Sequence, residues 1–198
     1  MRLLMCLSPE SSRYNADGLL YVSHKTTDNT LSYLQIFKNG ALEYGDSYIL
    51  GSFRDNAIAS KDFEGKIVQT FSRALQLLST LQVPDPVYVS LTLIGVKGKT
   101  MALPYYGRHL NYQSSPFDRD LILCPDMLVT ATTVDDNYSE TLLPMVNTIW
   151  QAAGMEKSIY IRDDGQWVVS DPGWHIRPFG PSTLNAGLWP CQWFARRN

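Results

Sequence analysis

Asn39-Gly40 sits between two runs that roughly alternate apolar and polar residues, Tyr33-Leu34-Gln35-Ile36-Phe37-Lys38 and Ala41-Leu42-Glu43-Tyr44. Alternation of period two sends every second side chain to one face of a strand. Asn-Gly is the pair that best tolerates positive φ at both central positions of a type I′ turn. The stretch therefore predicts a β-hairpin, with strands over 31–38 and 41–50. It fixes a fold class and carries no chemistry.

Around it the chain reads as further strands and two helices. Short strands are expected over 2–7 and 19–24, with a turn-rich surface loop over 10–18 and a connection over 51–60. Phe63, Ile67, Phe71, Leu75, Leu78 and Leu81 recur at spacings of three and four, which predicts an amphipathic helix capped by Ser60 and ending before Pro84. The Val- and Leu-rich run 87–94 reads as a buried strand, and Lys97-Gly98-Lys99 as a turn into a strand over 100–103. Another strand is expected over 121–124, extending past Pro125 to 130. A second helix fits 139–153, with Pro144 in its first turn and Gly154 just past its end. Strands over 158–162 and 166–169 flank the turn signal Asp163-Asp164-Gly165. The Pro- and Trp-rich tail from Asp171 is expected to wrap the core as extended chain, with Trp150 and Trp167 inside. The fold class is thus α+β, with a mainly antiparallel sheet built from hairpins and packed with two long helices, as one domain over 1–198.

Composition narrows the function classes. The chain is 44% hydrophobic and 18% charged, which suits a folded globular protein. Its formal charge of −2 argues against a module held on nucleic acid mainly by bulk charge. Cys6, Cys124 and Cys191 form no Cys-x-x-Cys pair and read as free buried thiols of a reducing cytoplasm. The opening residues lack the long apolar core of a signal peptide, and no stretch is apolar enough to span a membrane, so a cytoplasmic protein is expected.

Candidate sites are sparse. Lys97, Lys99, Arg108, His109 and Arg119 cluster around Tyr105, Tyr106 and Tyr112, and basic groups beside aromatics could bind phosphates and stack bases or hold another ligand. The plainer reading is solvated turn lysines followed by a tyrosine-containing loop. Gly95-Val96-Lys97-Gly98-Lys99-Thr100 lacks the spacing and the following helix of a phosphate-binding loop. Asp62-x-Glu64-x-Lys66 holds nuclease residue types, yet at a helix start its acids suit dipole and capping roles. Asp135-Asp136 read as capping acids, and Asp163-Asp164 as turn residues without calcium spacing. His24, His109 and His175 show no metal-ligand spacing, and His175 with Cys191 lacks the orienting acid of a nucleophilic pair. No catalytic residue, metal or cofactor is therefore expected.

Three phrases carry a resemblance: Tyr14-Asn15-Ala16-Asp17-Gly18-Leu19-Leu20, the run from Ser32 to Glu43, and Val89-Ser90-Leu91-Thr92-Leu93-Ile94-Gly95-Val96-Lys97-Gly98. They are similar to the C-terminal region of bacterial multidomain proteins that begin with a Schlafen-type, AlbA-like DNA-binding or ATP-binding domain. There a phrase like Tyr-Val-Gln-Leu-Phe-Arg-Asn-Gly-x-Ile-Glu recurs. The resemblance covers residues 14–98, and the AlbA-like activity is not carried over because that domain is not among these residues. It implies a non-enzymatic sensor or recognition module serving an N-terminal effector in a transcriptional regulator or, by extension, an anti-phage defence protein. A protein, a second copy of the chain and a small ligand all stay open as partners. The rivals are a hydrolase or nuclease whose acids meet only in three dimensions, and a nucleic-acid-binding surface over 97–119.

Overall fold

The computed structural model describes residues 12–26, 29–50, 56–103, 114–130, 138–162, 165–167 and 193–196; for 24–26, 29–31, 138 and 193–196 it describes backbone alone. The expected strand over 2–7, Tyr105, Tyr106, Arg108 and His109, the acids Asp135, Asp136, Asp163 and Asp164, and the tail over 171–192 lie outside the described residues.

The strands are β1 (Ser12–Tyr14), β2 (Gly18–Thr26), β3 (Asn29–Phe37), β4 (Leu42–Asp46), β5 (Ala57–Ala59), β6 (Val87–Ser90), β7 (Thr92–Ile94), β8 (Thr100–Ala102), β9 (Leu121–Leu123), β10 (Met127–Val129) and β11 (Trp193–Arg196). The helices are α1 (Ser60–Thr80) and α2 (Tyr138–Ala152). A 7-stranded sheet runs in the order β1-β2-β3-β4-β11-β6-β10, and every pairing in it is antiparallel. β5 pairs parallel with β8, and β7 antiparallel with β9. The α+β class follows, with the hairpins supplying most of the sheet.

The 33–44 hairpin forms, but its turn is not type I′. Asn39 keeps a negative φ, and Gly40 alone takes the left-handed conformation, at φ 84°. Gly40 N–H donates to the Phe37 carbonyl at 3.0 Å, and Phe37 N–H donates to the Ala41 carbonyl at 2.9 Å. This is a three-residue loop closed by a glycine bulge, which twists the strands as well as type I′ does. Asn39 instead accepts the Ala41 N–H on its side chain at 3.0 Å.

The expected loop over 10–18 contains β1, an exposed edge strand. Asn15 turns the chain into β2 by accepting the Asp17 and Gly18 N–H groups at 3.1 and 2.8 Å. Its amide then donates to Gln35 at 2.7 Å, and Lys38 reaches back to the Ala16 carbonyl at 2.8 Å. Gly18 lies at φ 154°, and a side chain there would collide with the Ile36 carbonyl.

The helices show three further differences. Ser60 does not cap α1; the cap position is Ala59, and the Ser60 hydroxyl donates to the Ala102 carbonyl and accepts from Tyr160. α1 ends in a Schellman closure, with Gln82 at φ 56° and the Val83 N–H on the Leu78 carbonyl at 3.0 Å. In α2, Pro144 lies inside the helix rather than in its first turn, so one N–H is missing from the helical ladder. Gly154 closes that helix as expected, at φ 79°.

Past α2, the described residues of the expected strand pair are joined by a bridge between Ile161 and Trp167 around the Gly165 turn, and 168–169 lie outside the described residues. The largest difference is β11. Residues 193–196 do not wrap the outside but enter the sheet between β4 and β6. Phe63, Ile67, Phe71 and Leu78 of α1 pack with Leu142, Met145, Val146 and Ile149 of α2 against Val87, Val89, Leu91 and Leu93 in one core. Each fully buried aliphatic side chain there contributes roughly 1.5–3 kcal/mol. Among the described residues no helix is long and apolar enough to cross a membrane.

Gly18→Ala tests the close approach of β2 to β3. Chemical denaturation should show a loss of about 3 kcal/mol, the upper end for a backbone-incompatible site. An unchanged midpoint would mean the strands do not approach as described.

Candidate functional site

Glu64 is fully buried, with no solvent exposure. Trp150 of α2 donates its indole N–H to Glu64 Oε2 at 2.8 Å, and Ser158 donates its hydroxyl to Glu64 Oε1 at 2.6 Å. Ser158 Oγ in turn accepts the Tyr160 and Ile161 N–H groups at 3.0 and 3.1 Å, while its own N–H donates to Asn147 at 2.9 Å. Tyr160 continues the chain to Ser60, with the two oxygens 2.8 Å apart. The network joins α1, α2, β8 and the segment after α2. Trp167 adds its ring over Gly65, where a side chain would meet it at 2.9 Å.

This overturns the reading of Glu64 as a helix-dipole acid. The signal was present: Glu64 precedes Ile67, Val68 and Phe71 by three, four and seven residues, which places it on the apolar stripe. Asp62, by contrast, is exposed in the first turn. Burial pushes the Glu64 carboxyl up to about 7, against the pull of the Ser158 and Trp150 donors. Sealed from solvent, it fastens α1, α2 and the segment after α2 together.

A second buried acid, Asp46, accepts the Tyr48 and Ile49 N–H groups at 2.7 and 3.3 Å at the end of β4. Its carboxyl is also pushed up to about 7 by burial, with the nearby Lys66 cation among the opposing effects. Lys66 is itself buried. Cys124 is the buried free thiol the sequence suggested, and burial pushes it up to about 12, far from a nucleophile's range. Among the described residues no group of three or more His, Cys, Asp or Glu side chains is placed to hold a metal.

Of the candidate basic cluster, Lys97, Lys99 and Arg119 are described. Lys97 is exposed and Lys99 half-buried; Gly98 N–H reaches the Phe117 carbonyl at 2.9 Å, which brings this turn beside 117–120. Arg119 is exposed and pairs with Asp118 at 3.2 Å, holding that carboxyl below the usual range, with Lys97 adding to the effect. The three cations therefore share their end of the fold with Asp118 and Asp120.

The sequence did not single out the outer face of the ribbon next to them. β6 and β7 run on as one strand opposite β10 and β9, with Val89 against Met127 and Thr92 against Leu123. Two residues, 90 and 91, face three, 124–126, so one is inserted and the alternation flips there. Val87, Val89, Leu91 and Leu93 point to the core. Ile94, Leu121, Leu123 and Leu128 point away and are 56%, 45%, 66% and 59% exposed. Comparison with protein-family models, curated proteins and solved structures returned no match.

The two raised acids predict how stability follows pH. An acid whose carboxyl is raised on folding costs nothing below its unfolded value, because both states are protonated. As pH rises from about 4.5 toward 7 the unfolded chain ionises first and native stability falls. For Glu64 the loss between pH 4 and 8 is on the order of 3 kcal/mol. The melting temperature should drop over that interval, and Glu64→Gln should flatten much of the slope. An E64Q slope equal to that of the parent would exclude Glu64 as its source.

Proposed function

We propose that this chain is a non-enzymatic recognition domain that presents the outer face of β7, β9 and β10 to a partner. The observation that carries the reading is the set Ile94, Leu121, Leu123 and Leu128, large apolar side chains left bare on one face. Such side chains cost solvation free energy unless something covers them, and contiguous ones mark interaction surfaces. The interior supports the same reading, since Glu64, Asp46 and Cys124 are each engaged or sealed within the scaffold. The likeness of residues 14–98 to the C-terminal region of Schlafen-type, AlbA-like proteins supports an accessory role beside an effector domain in a bacterial cytoplasmic protein.

Leu123→Lys with Leu128→Lys provides the test. Both sites are exposed, so the double variant should keep its melting temperature within a few degrees. Random-peptide and folded-domain libraries selected against the immobilised parent should yield binders that lose at least tenfold in affinity for the variant. Binders indifferent to both changes would place recognition elsewhere. Turnover of an ester, phosphodiester or peptide substrate by the purified protein would overturn the reading.

A further inference from the structure

Among the described residues the main chain of β9 is open along one side, since β9 pairs there with β7 alone, in a two-stranded unit. Gly95 N–H donates to the Asp120 carbonyl at 2.9 Å, and Cys124 N–H donates to the Leu91 carbonyl at 3.1 Å. These bonds fix the phase of the ladder: Asp120, Ile122 and Cys124 turn their N–H and C=O groups toward β7. Leu121 and Leu123 therefore turn theirs the opposite way, where no strand lies among the described residues. Their side chains stand on the bare outer face beside Ile94, the cross-strand partner of Leu121. One short segment thus offers, among the described residues, unpaired ladder groups and exposed apolar side chains together.

Edge geometry and charge identify what fits there. Main-chain groups turned outward from Leu121 and Leu123 are completed by one more strand, so the occupant is an extended segment. Asp120 and Asp126 bracket β9, both exposed. Asp126 accepts the Tyr88 hydroxyl at 2.8 Å, and neither carboxylate is paired with a cation among the described residues. Resting on the recognition reading above, we infer that β9 takes up an extended peptide strand with an apolar centre and a lysine or arginine on each flank. The strand adds to the open edge through main-chain hydrogen bonds to Leu121 and Leu123. The bare leucines then set the preference for apolar residues at alternate positions, and the two carboxylates read the flanking cations.

The experiment selects hexapeptides from a random library on the parent domain, then synthesises the strongest binder in two N-methylated series. Enriched sequences should alternate apolar residues between basic ends. Methylating the amides that face β9 should weaken binding at least tenfold, while methylating the alternate amides should change it less than threefold. Asp120→Asn with Asp126→Asn should weaken the basic-flanked peptide about tenfold and leave a neutral-flanked version unchanged. Leu123→Pro removes the outward N–H; because that variant could misfold, the methylated peptides keep the test independent of it. If both methylated series bind like the parent peptide while L123K/L128K abolishes binding, strand addition is wrong and recognition by the face stands. If no selected peptide is sensitive to L123K/L128K, both fail, and the flanking acids serve only to keep an open edge from pairing.

Discussion

A carboxyl group with no contact with water holds this interior together. Glu64 takes one hydrogen bond on each oxygen, from Trp150 and from Ser158. Through Ser158 it organises the backbone after α2, and Tyr160 carries the link to Ser60 and the Ala102 carbonyl. Removing any member strands a buried polar group at a cost of roughly 1–3 kcal/mol, more if the stranded group is charged. Hydrophobic contacts between α1 and α2 supply most of the stabilisation, but they are indifferent to small rotations of the helices. The carboxyl is directional and allows one arrangement.

The sequence phrases around the first two hairpins have a shared physical job. Asn15 bonds Gln35, Lys38 bonds the Ala16 carbonyl, and Gly18 lets β2 approach Ile36. On the neighbouring strand pair Tyr33 donates to Glu43 and covers Gly45, where a side chain would collide with its ring. Short polar side chains and glycines at fixed offsets bind β1 through β4 into one unit. A pattern confined to such positions speaks of architecture. It says little about ligand, which is why the functional reading rests on a different part of the surface.

That surface was hidden by its own composition. The run 87–94 reads as a buried strand and 121–130 as a further strand, with no outward apolar face marked on either. In the fold both helices contribute to the core on one side, so Val87, Val89, Leu91, Leu93, Ile122 and Val129 are covered while Ile94, Leu121, Leu123 and Leu128 are bare. A one-residue insertion at 124–126 keeps Leu121, Leu123 and Leu128 on the same side despite the broken alternation. The basic cluster around Lys97 was legible as a cluster, and the fold brings Lys97 toward Arg119. It also interleaves them with Asp118 and Asp120, which sequence distance alone did not weigh.

Local order in this protein follows from spacing along the chain. Period-two alternation around Asn39-Gly40, three-and-four spacing from Phe63 to Leu78, and Gly154 after a helical run each act within about ten residues. Their outcome is settled by backbone sterics and nearby hydrogen bonds. What depended on distant neighbours came only with the tertiary structure: Trp150 and Ser158 meeting Glu64, Ser60 serving Tyr160 instead of a cap, residues 193–196 filling the gap between β4 and β6, and the bare side of β9. A buried group's hydrogen-bond partners and a strand's neighbours are set by what packs against them from a hundred residues away, and no local pattern encodes that choice.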